Sequence, residues 1–82
     1  MKTIEIYTRP FCIWCLRAKL MLRMRGLSFV EHDASSDAAR AEVVERTGRK
    51  TVPQVLIEGR LVGGSEELAA LIRTGELETL LS

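Results

Sequence analysis

The sequence predicts an open α/β sheet of four strands flanked by helices, in the order β-α-β-α-β-β-α. Three observations carry that expectation. Alternating residues at the start give way to helical spacing and then to a second strand-like run, a strand-helix-strand unit within about thirty residues. Glycines follow the helical stretches, at positions 26, 48 and 75. Two apolar runs, residues 54–57 and 60–62, are separated only by Glu58-Gly59, which is a hairpin signal. A βαβ unit has parallel strands and a hairpin antiparallel ones, so the sheet is expected to be mixed.

The elements can be justified in turn. Residues 3–7 form a short strand with β-branched Ile4 and Ile6 flanking Glu5. Pro10 and Phe11 break that pattern. From Cys12 onward Cys15, Leu16, the stem of Lys19, Leu20 and Leu22 recur at helical spacing, and Gly26 suits the position that closes the helix. Residues 27–32 read as the second strand. "ASSDAARAEVVERTGR" reads as a helix with Ser35 or Ser36 as N-cap and Gly48 as its stop. In the hairpin Gly59 supplies a positive φ. Gly63 and Gly64 end its second strand, and Ser65 is expected to cap a third helix through Arg73, with Glu66 and Glu67 in the first turn where the helix dipole favours acids. Beyond Gly75 a final helical turn covers about residues 77–81.

Eighty-two residues suit one domain spanning 1–82, with an adequate core. A net charge of +1 points to neither nucleic acid nor a membrane surface as partner. The distribution is less even: between Ile6 and Val30 there is no acid, while Arg9, Arg17, Lys19, Arg23 and Arg25 all fall there. That run reads either as a solvated helix face or as a positive field around the cysteines. The opening residues lack the apolar run of a signal peptide, and no stretch approaches the ~20 apolar residues of a membrane span. The chain is therefore expected to be cytoplasmic.

Its only two cysteines lie three apart, in "RPFCIWCLRAKL". A reducing compartment disfavours a lasting structural disulfide, and a bridge between such near neighbours closes too small a loop to stabilise much. A zinc site needs four ligands, and only His32, which reads as a surface histidine, could join the pair. A working redox pair remains. Residues three apart share a helix face, so the sulfurs can meet. Free N–H groups at a helix start stabilise an anion, which favours the thiolate of Cys12 over that of the deeper Cys15. Cys12 then attacks and Cys15 resolves. Trp14, between them, is expected to flank a groove rather than fill the core.

Two further segments bear on this. "TVP" at 51–53 sits at a strand start, and a cis bond before Pro53 would leave the N–H and C=O of Val52 free to pair with an extended peptide. "GGSEEL" at 63–68 puts flexible backbone beside a helix N-terminus, which holds a carboxylate readily. Together "YTRPFCIWC", "GRKTVPQVLI" and "VGGSEEL" resemble a dithiol glutaredoxin of the small bacterial type, over essentially the whole chain, and the element order is that of the thioredoxin fold.

The resemblance implies a glutathione-dependent thiol-disulfide oxidoreductase. It would reduce glutathione–protein mixed disulfides and protein disulfides through the Cys12/Cys15 dithiol. Arg9 occupies the position of the family's groove lysine and Trp14 that of its tyrosine. Thr51, Val52 and Pro53 match the segment that pairs with the cysteinyl backbone of glutathione; Gly64, Ser65 and Glu66 match the one that holds its γ-glutamyl end. Arg49 or Lys50 could join Arg9 at the glycyl carboxylate. The partners implied are glutathione and disulfide-containing or glutathionylated proteins, met by a monomer. This sequence departs from the family in having Ile13 for the motif proline, Glu66 for an aspartate, and Ser65 where some members have a further cysteine. Ile13 supplies an N–H that could bond the Cys12 thiolate. Lacking the proline also opens an alternative, a [2Fe–2S] scaffold or carrier with the cluster held between two monomers by two such cysteines and two glutathiones.

Overall fold

The computed structural model describes residues 2–82. The chain folds as β1 (Ile4–Thr8), α1 (Ile13–Met24), β2 (Val30–Asp33), α2 (Asp37–Thr47), β3 (Gln54–Ile57), β4 (Arg60–Gly63), α3 (Ser65–Thr74) and α4 (Glu76–Leu81). The strands form one mixed sheet in the order β2-β1-β3-β4. β1 runs parallel to β2 and antiparallel to β3, and β3 and β4 form an antiparallel hairpin. The α/β order read from the sequence is therefore the observed one.

Side chains of a strand alternate between faces, and the two central strands use the alternation to build two cores. Ile4, Ile6, Val55 and Ile57 join Ala18 and Leu22 of α1, Leu68 of α3 and Leu77 of α4. Tyr7 and Leu56 point the other way and join Ala34 and Val43 of α2. The hairpin turn has both Glu58 (φ 51°) and Gly59 (φ 79°) in left-handed conformations, the pair that a two-residue turn matched to strand twist requires.

Three expectations need correction. The second strand begins at Val30, not at residue 27. Its first residues instead finish α1: Gly26 N–H donates to Arg23 O at 2.9 Å and Leu27 N–H to Leu22 O at 3.0 Å, the Schellman arrangement. Leu27 and Phe29 pack on the α1 core. The buried stripe of α1 is Cys15, Ala18 and Leu22. Leu16 and Leu20 lie one stripe over, where no element packs, and are exposed along with Met24. His32, finally, is no bare surface residue: its Nε2 lies 2.9 Å from Glu5 Oε1 and its ring 4.8 Å from that of Tyr7.

Among the described residues no helix is long and apolar enough to cross a membrane. Nor does any group of three or more His, Cys, Asp or Glu there have an arrangement fit for a metal ion.

Candidate active site

β1 delivers the chain to the cysteine loop. Thr8 is buried at the strand end, Pro10 turns the backbone, and Phe11 is held at a positive φ of 58° with its ring fully exposed. Cys12 is the N-cap of α1, extended at φ −107° and ψ 109°, and its Sγ accepts a hydrogen bond from the N–H of Cys15 at 3.2 Å. The donor is thus Cys15, where Ile13 had been expected; a residue at N-cap accepts from the third helical position. The two sulfurs differ sharply in environment. Cys12 is half-buried, while Cys15 is 2% exposed. Burial first, and then the neighbouring Cys12 sulfur, push the Cys15 thiol up to about 11. At neutral pH Cys15 therefore holds its proton.

The basic run of the sequence is largely spoken for. Arg17 binds Glu66 at 2.7 Å, Lys19 binds Glu31 at 2.9 Å, and Arg25 pairs with Glu78. Arg9 forms no ion pair among the described residues.

Two clefts meet on one side of the cysteine loop. The larger, about 290 Å³, is lined by Trp14 from α1, Thr51, Val52 and Pro53 from the loop before β3, and Gly64, Ser65 and Glu66 from the start of α3. The smaller, about 160 Å³, shares Thr51 and Val52 and adds Arg9, Arg40 and Lys50. The Val52–Pro53 peptide is cis, and neither the N–H nor the C=O of Val52 has a partner among the described residues. Trp14 is 56% exposed, with the Arg17 guanidinium 5.8 Å from its ring centre.

At the far end Gly64, not Ser65, is the N-cap of α3. The Glu67 carboxylate accepts the Gly64 N–H at 2.6 Å, and Ser65 Oγ accepts from Arg17 at 3.0 Å instead of capping the helix. Bonding to the Gly64 N–H, assisted by Arg49, holds the Glu67 carboxyl below its ordinary range. The glycines make room for this. Gly63 has φ 126°, and a Cβ there would come 2.5 Å from Glu67 Oε1; one on Gly64 would press on Pro53 O at 3.3 Å.

The predicted site residues Thr51, Val52, Pro53, Trp14, Gly64, Ser65 and Glu66 therefore line one cleft, and Arg9 lines the adjoining one. Cys12 opens beside them on a third hollow, with Arg9 at its edge. Lys50 stands with Arg9. Arg49 does not: it lines the other cleft, bonded to both carboxylate oxygens of Glu67 at 3.1 Å. Sequence reasoning missed Arg40, which α2 carries into the Arg9 cleft. Nothing local marks it: its own bonds go to nearby Ser35 and Asp37, and the residues it joins in the cleft lie far along the chain.

A family model described as Glutaredoxin matches residues 4–62. Glutaredoxin 3 of Escherichia coli (strain K12) is 44% identical over 82 residues, 99% of this chain and 99% of that one. The chain belongs to the glutaredoxin family. It is a thiol-disulfide oxidoreductase that reduces glutathione–protein mixed disulfides and protein disulfides, with glutathione as reductant and Cys12 and Cys15 as its dithiol. The solution structure of glutaredoxin from Brucella melitensis superposes with a TM-score of 0.87 at 48% identity, covering 99% of this chain and 89% of that one. A buckwheat glutaredoxin–glutathione complex superposes with a TM-score of 0.88 at 26% identity, covering 98% and 76%.

Proposed function

We propose that Cys12 is the nucleophile, Cys15 the resolving thiol, and the paired clefts the seat of glutathione. The observation that carries the assignment is the asymmetry of the sulfurs: Cys12 is half-buried at a helix start with an N–H on its Sγ, and Cys15 is enclosed and protonated. The Cys12 thiolate attacks the glutathionyl sulfur of a mixed disulfide. The client thiolate leaves and takes a proton, and Cys12 is left joined to glutathione. A second glutathione thiolate then attacks the glutathionyl sulfur, forming glutathione disulfide and releasing the Cys12 thiolate. Alternatively Cys15 attacks the Cys12 sulfur, forming the Cys12–Cys15 disulfide and releasing the bound glutathione as a thiolate. Cys12→Ser should abolish turnover of a glutathionylated peptide. Cys15→Ser should keep most of that activity and lose reduction of protein disulfides. A Cys12→Ser protein that still turned over would overturn the assignment.

Glutathione carries two carboxylates and one ammonium, so its seat needs separated charges. The start of α3 offers the unpartnered N–H groups of Ser65 and Glu66 for the γ-glutamyl carboxylate, with the Glu66 side chain for the ammonium. Val52 serves the middle through backbone alone, flanked by Thr51, Pro53, Gly64 and the Trp14 ring. Arg9, with Arg40 and Lys50 beside it, serves the glycyl carboxylate. Arg9→Glu should raise the apparent KM for glutathione, most at low salt, and leave alkylation of Cys12 by a small neutral reagent nearly unchanged. Equal losses in both assays would make Arg9 a modulator of Cys12 and sink the groove reading.

The same reading takes residues 1–82 as one domain, working as a monomer in the cytoplasm on glutathionylated and disulfide-bonded proteins. Anaerobic preparation with glutathione tests the cluster-carrier alternative: a coloured dimer would favour it.

A further inference from the structure

Lys19 of α1 has no task in the reaction so far. It sits one helical turn beyond Cys15, the (i, i+4) spacing that puts two side chains on one face. Its stem is largely covered, with 22% of the side chain exposed. It lines the hollow of about 480 Å³ that also contains Cys12 and Cys15. On its other side it lines a second hollow with Thr8, Glu31 and Asp33. Lys19 Nζ donates to Glu31 Oε2 at 2.9 Å, and the hydroxyl of buried Thr8 donates to the same oxygen at 2.6 Å. The ammonium is therefore tethered by β1 and β2 beside the hollow that holds both sulfurs. The charged groups lining the two hollows are Arg9 from the loop, Lys19 from α1, and Glu31 and Asp33 from β2.

We infer that Lys19 is a positioning residue for the resolving step, its ammonium held by Glu31 and Thr8 so that it favours the Cys15 thiolate as it forms. The inference rests on the assignment of Cys15 as the resolving thiol. In that step Cys15–SH loses its proton to water in the hollow and its sulfur bonds to the sulfur of Cys12. The Cys12–glutathione bond breaks, and glutathione leaves with the electron pair as a thiolate that water protonates. Two electrons move between sulfurs and no further reactant is needed. An enclosed thiol near no cation would make this the slow step. Burial raises the Cys15 thiol, and the Lys19 charge opposes the rise.

The test is a single turnover without free glutathione. Reduced protein is mixed with a glutathionylated peptide, and two releases are followed: peptide first, from attack by Cys12, and glutathione second, from attack by Cys15. In the Lys19→Gln protein the second phase should slow about ten-fold near neutral pH, and its pH midpoint should rise by about one pH unit. The first phase should stay within about a factor of two, and Lys19→Arg should restore the second. Lys19→Met, which keeps the apolar stem, serves where Lys19→Gln fails to fold. A second phase with unchanged rate and pH midpoint overturns the inference, as does an equal fall in both phases. Absence of a first phase from the unmodified protein would instead count against Cys12 as nucleophile.

Discussion

The face of the sheet under α1, α3 and α4 and the face under α2 are built from different materials. On the first, Ile4, Ile6, Val55 and Ile57 meet Ala18, Leu22, Leu68 and Leu77, each 5% exposed or less. On the second, Val43 is the buried residue that α2 contributes, against Tyr7, Ala34 and Leu56. What holds α2 down is polar. Arg46 reaches across to both oxygens of Glu5, at 2.9 and 3.0 Å, and to the Tyr7 hydroxyl at 2.8 Å. The Tyr7 hydroxyl in turn donates to Glu42, and His32 closes the cluster on Glu5. One face is non-directional and indifferent to pH; the other depends on groups that titrate. The clefts of the candidate site draw on both, since Trp14 of α1 and the start of α3 come from the first face and Arg40 of α2 from the second.

Truncating the apolar layer should have the largest effect. Leu68 is fully buried, and Leu68→Ala should cost about 2–5 kcal/mol in urea unfolding. A loss near zero would mean that the layer can collapse around the gap and that the contrast between faces is overstated.

Acid should act on the other face. Hydrogen bonds from Arg46, and next from His32, bring Glu5 down to about 2 from 4.5, and its side chain is only 19% exposed. A carboxyl depressed in the folded state gives stability that is complete above the unfolded value and lost as pH falls through the folded one. The window is thus from about pH 4.5 down to 2, and the amount is of order 2–3 kcal/mol. Glu5→Gln should flatten that stretch of the melting-temperature profile. An unchanged acid slope would move the anchor of α2 elsewhere.

Smaller effects belong to helix ends and surface pairs. Ser36 caps α2 by accepting the Ala39 N–H at 3.1 Å, and Ser36→Ala should cost about 1 kcal/mol by thermal unfolding. Arg25→Ala breaks the exposed pair with Glu78 that joins α1 to α4, and should change stability by less than about 0.5 kcal/mol. A larger loss there would show that the apolar face also leans on charge.

The apolar face was readable in advance because its signal is local. Alternation at Ile4 and Ile6, the Glu58-Gly59 turn and the glycine stops each lie within one element, and they gave the strand and helix order. The polar face was not. Glu5 and Arg46 are 41 residues apart and Tyr7 and Glu42 are 35 apart, so no window of sequence shows that they meet. The same distance hid Arg40 from the site and left Arg49 and Lys50 interchangeable. At Ser65 the local rule failed outright: the residue has the right chemistry for a cap, but Arg17 takes its hydroxyl and Glu67 takes the backbone donor. Leu16 and Leu20 misled for a related reason. Their spacing is helical, and only the placement of neighbouring elements decides which stripe is covered.

The order β2-β1-β3-β4 leaves two strands at the margins, each four residues long. An unpaired margin is a template on which the strand of another chain can settle, and long flat ones polymerise. Here β2 carries Glu31, His32 and Asp33, and β4 begins with Arg60 and ends at Gly63, whose φ of 126° turns it aside beside a register shift at Val55/Leu56. The consequence is colloidal. Crowded together, copies of this molecule meet short, charged or turned strands at each other's sheet margins, which disfavours fibril growth by strand addition.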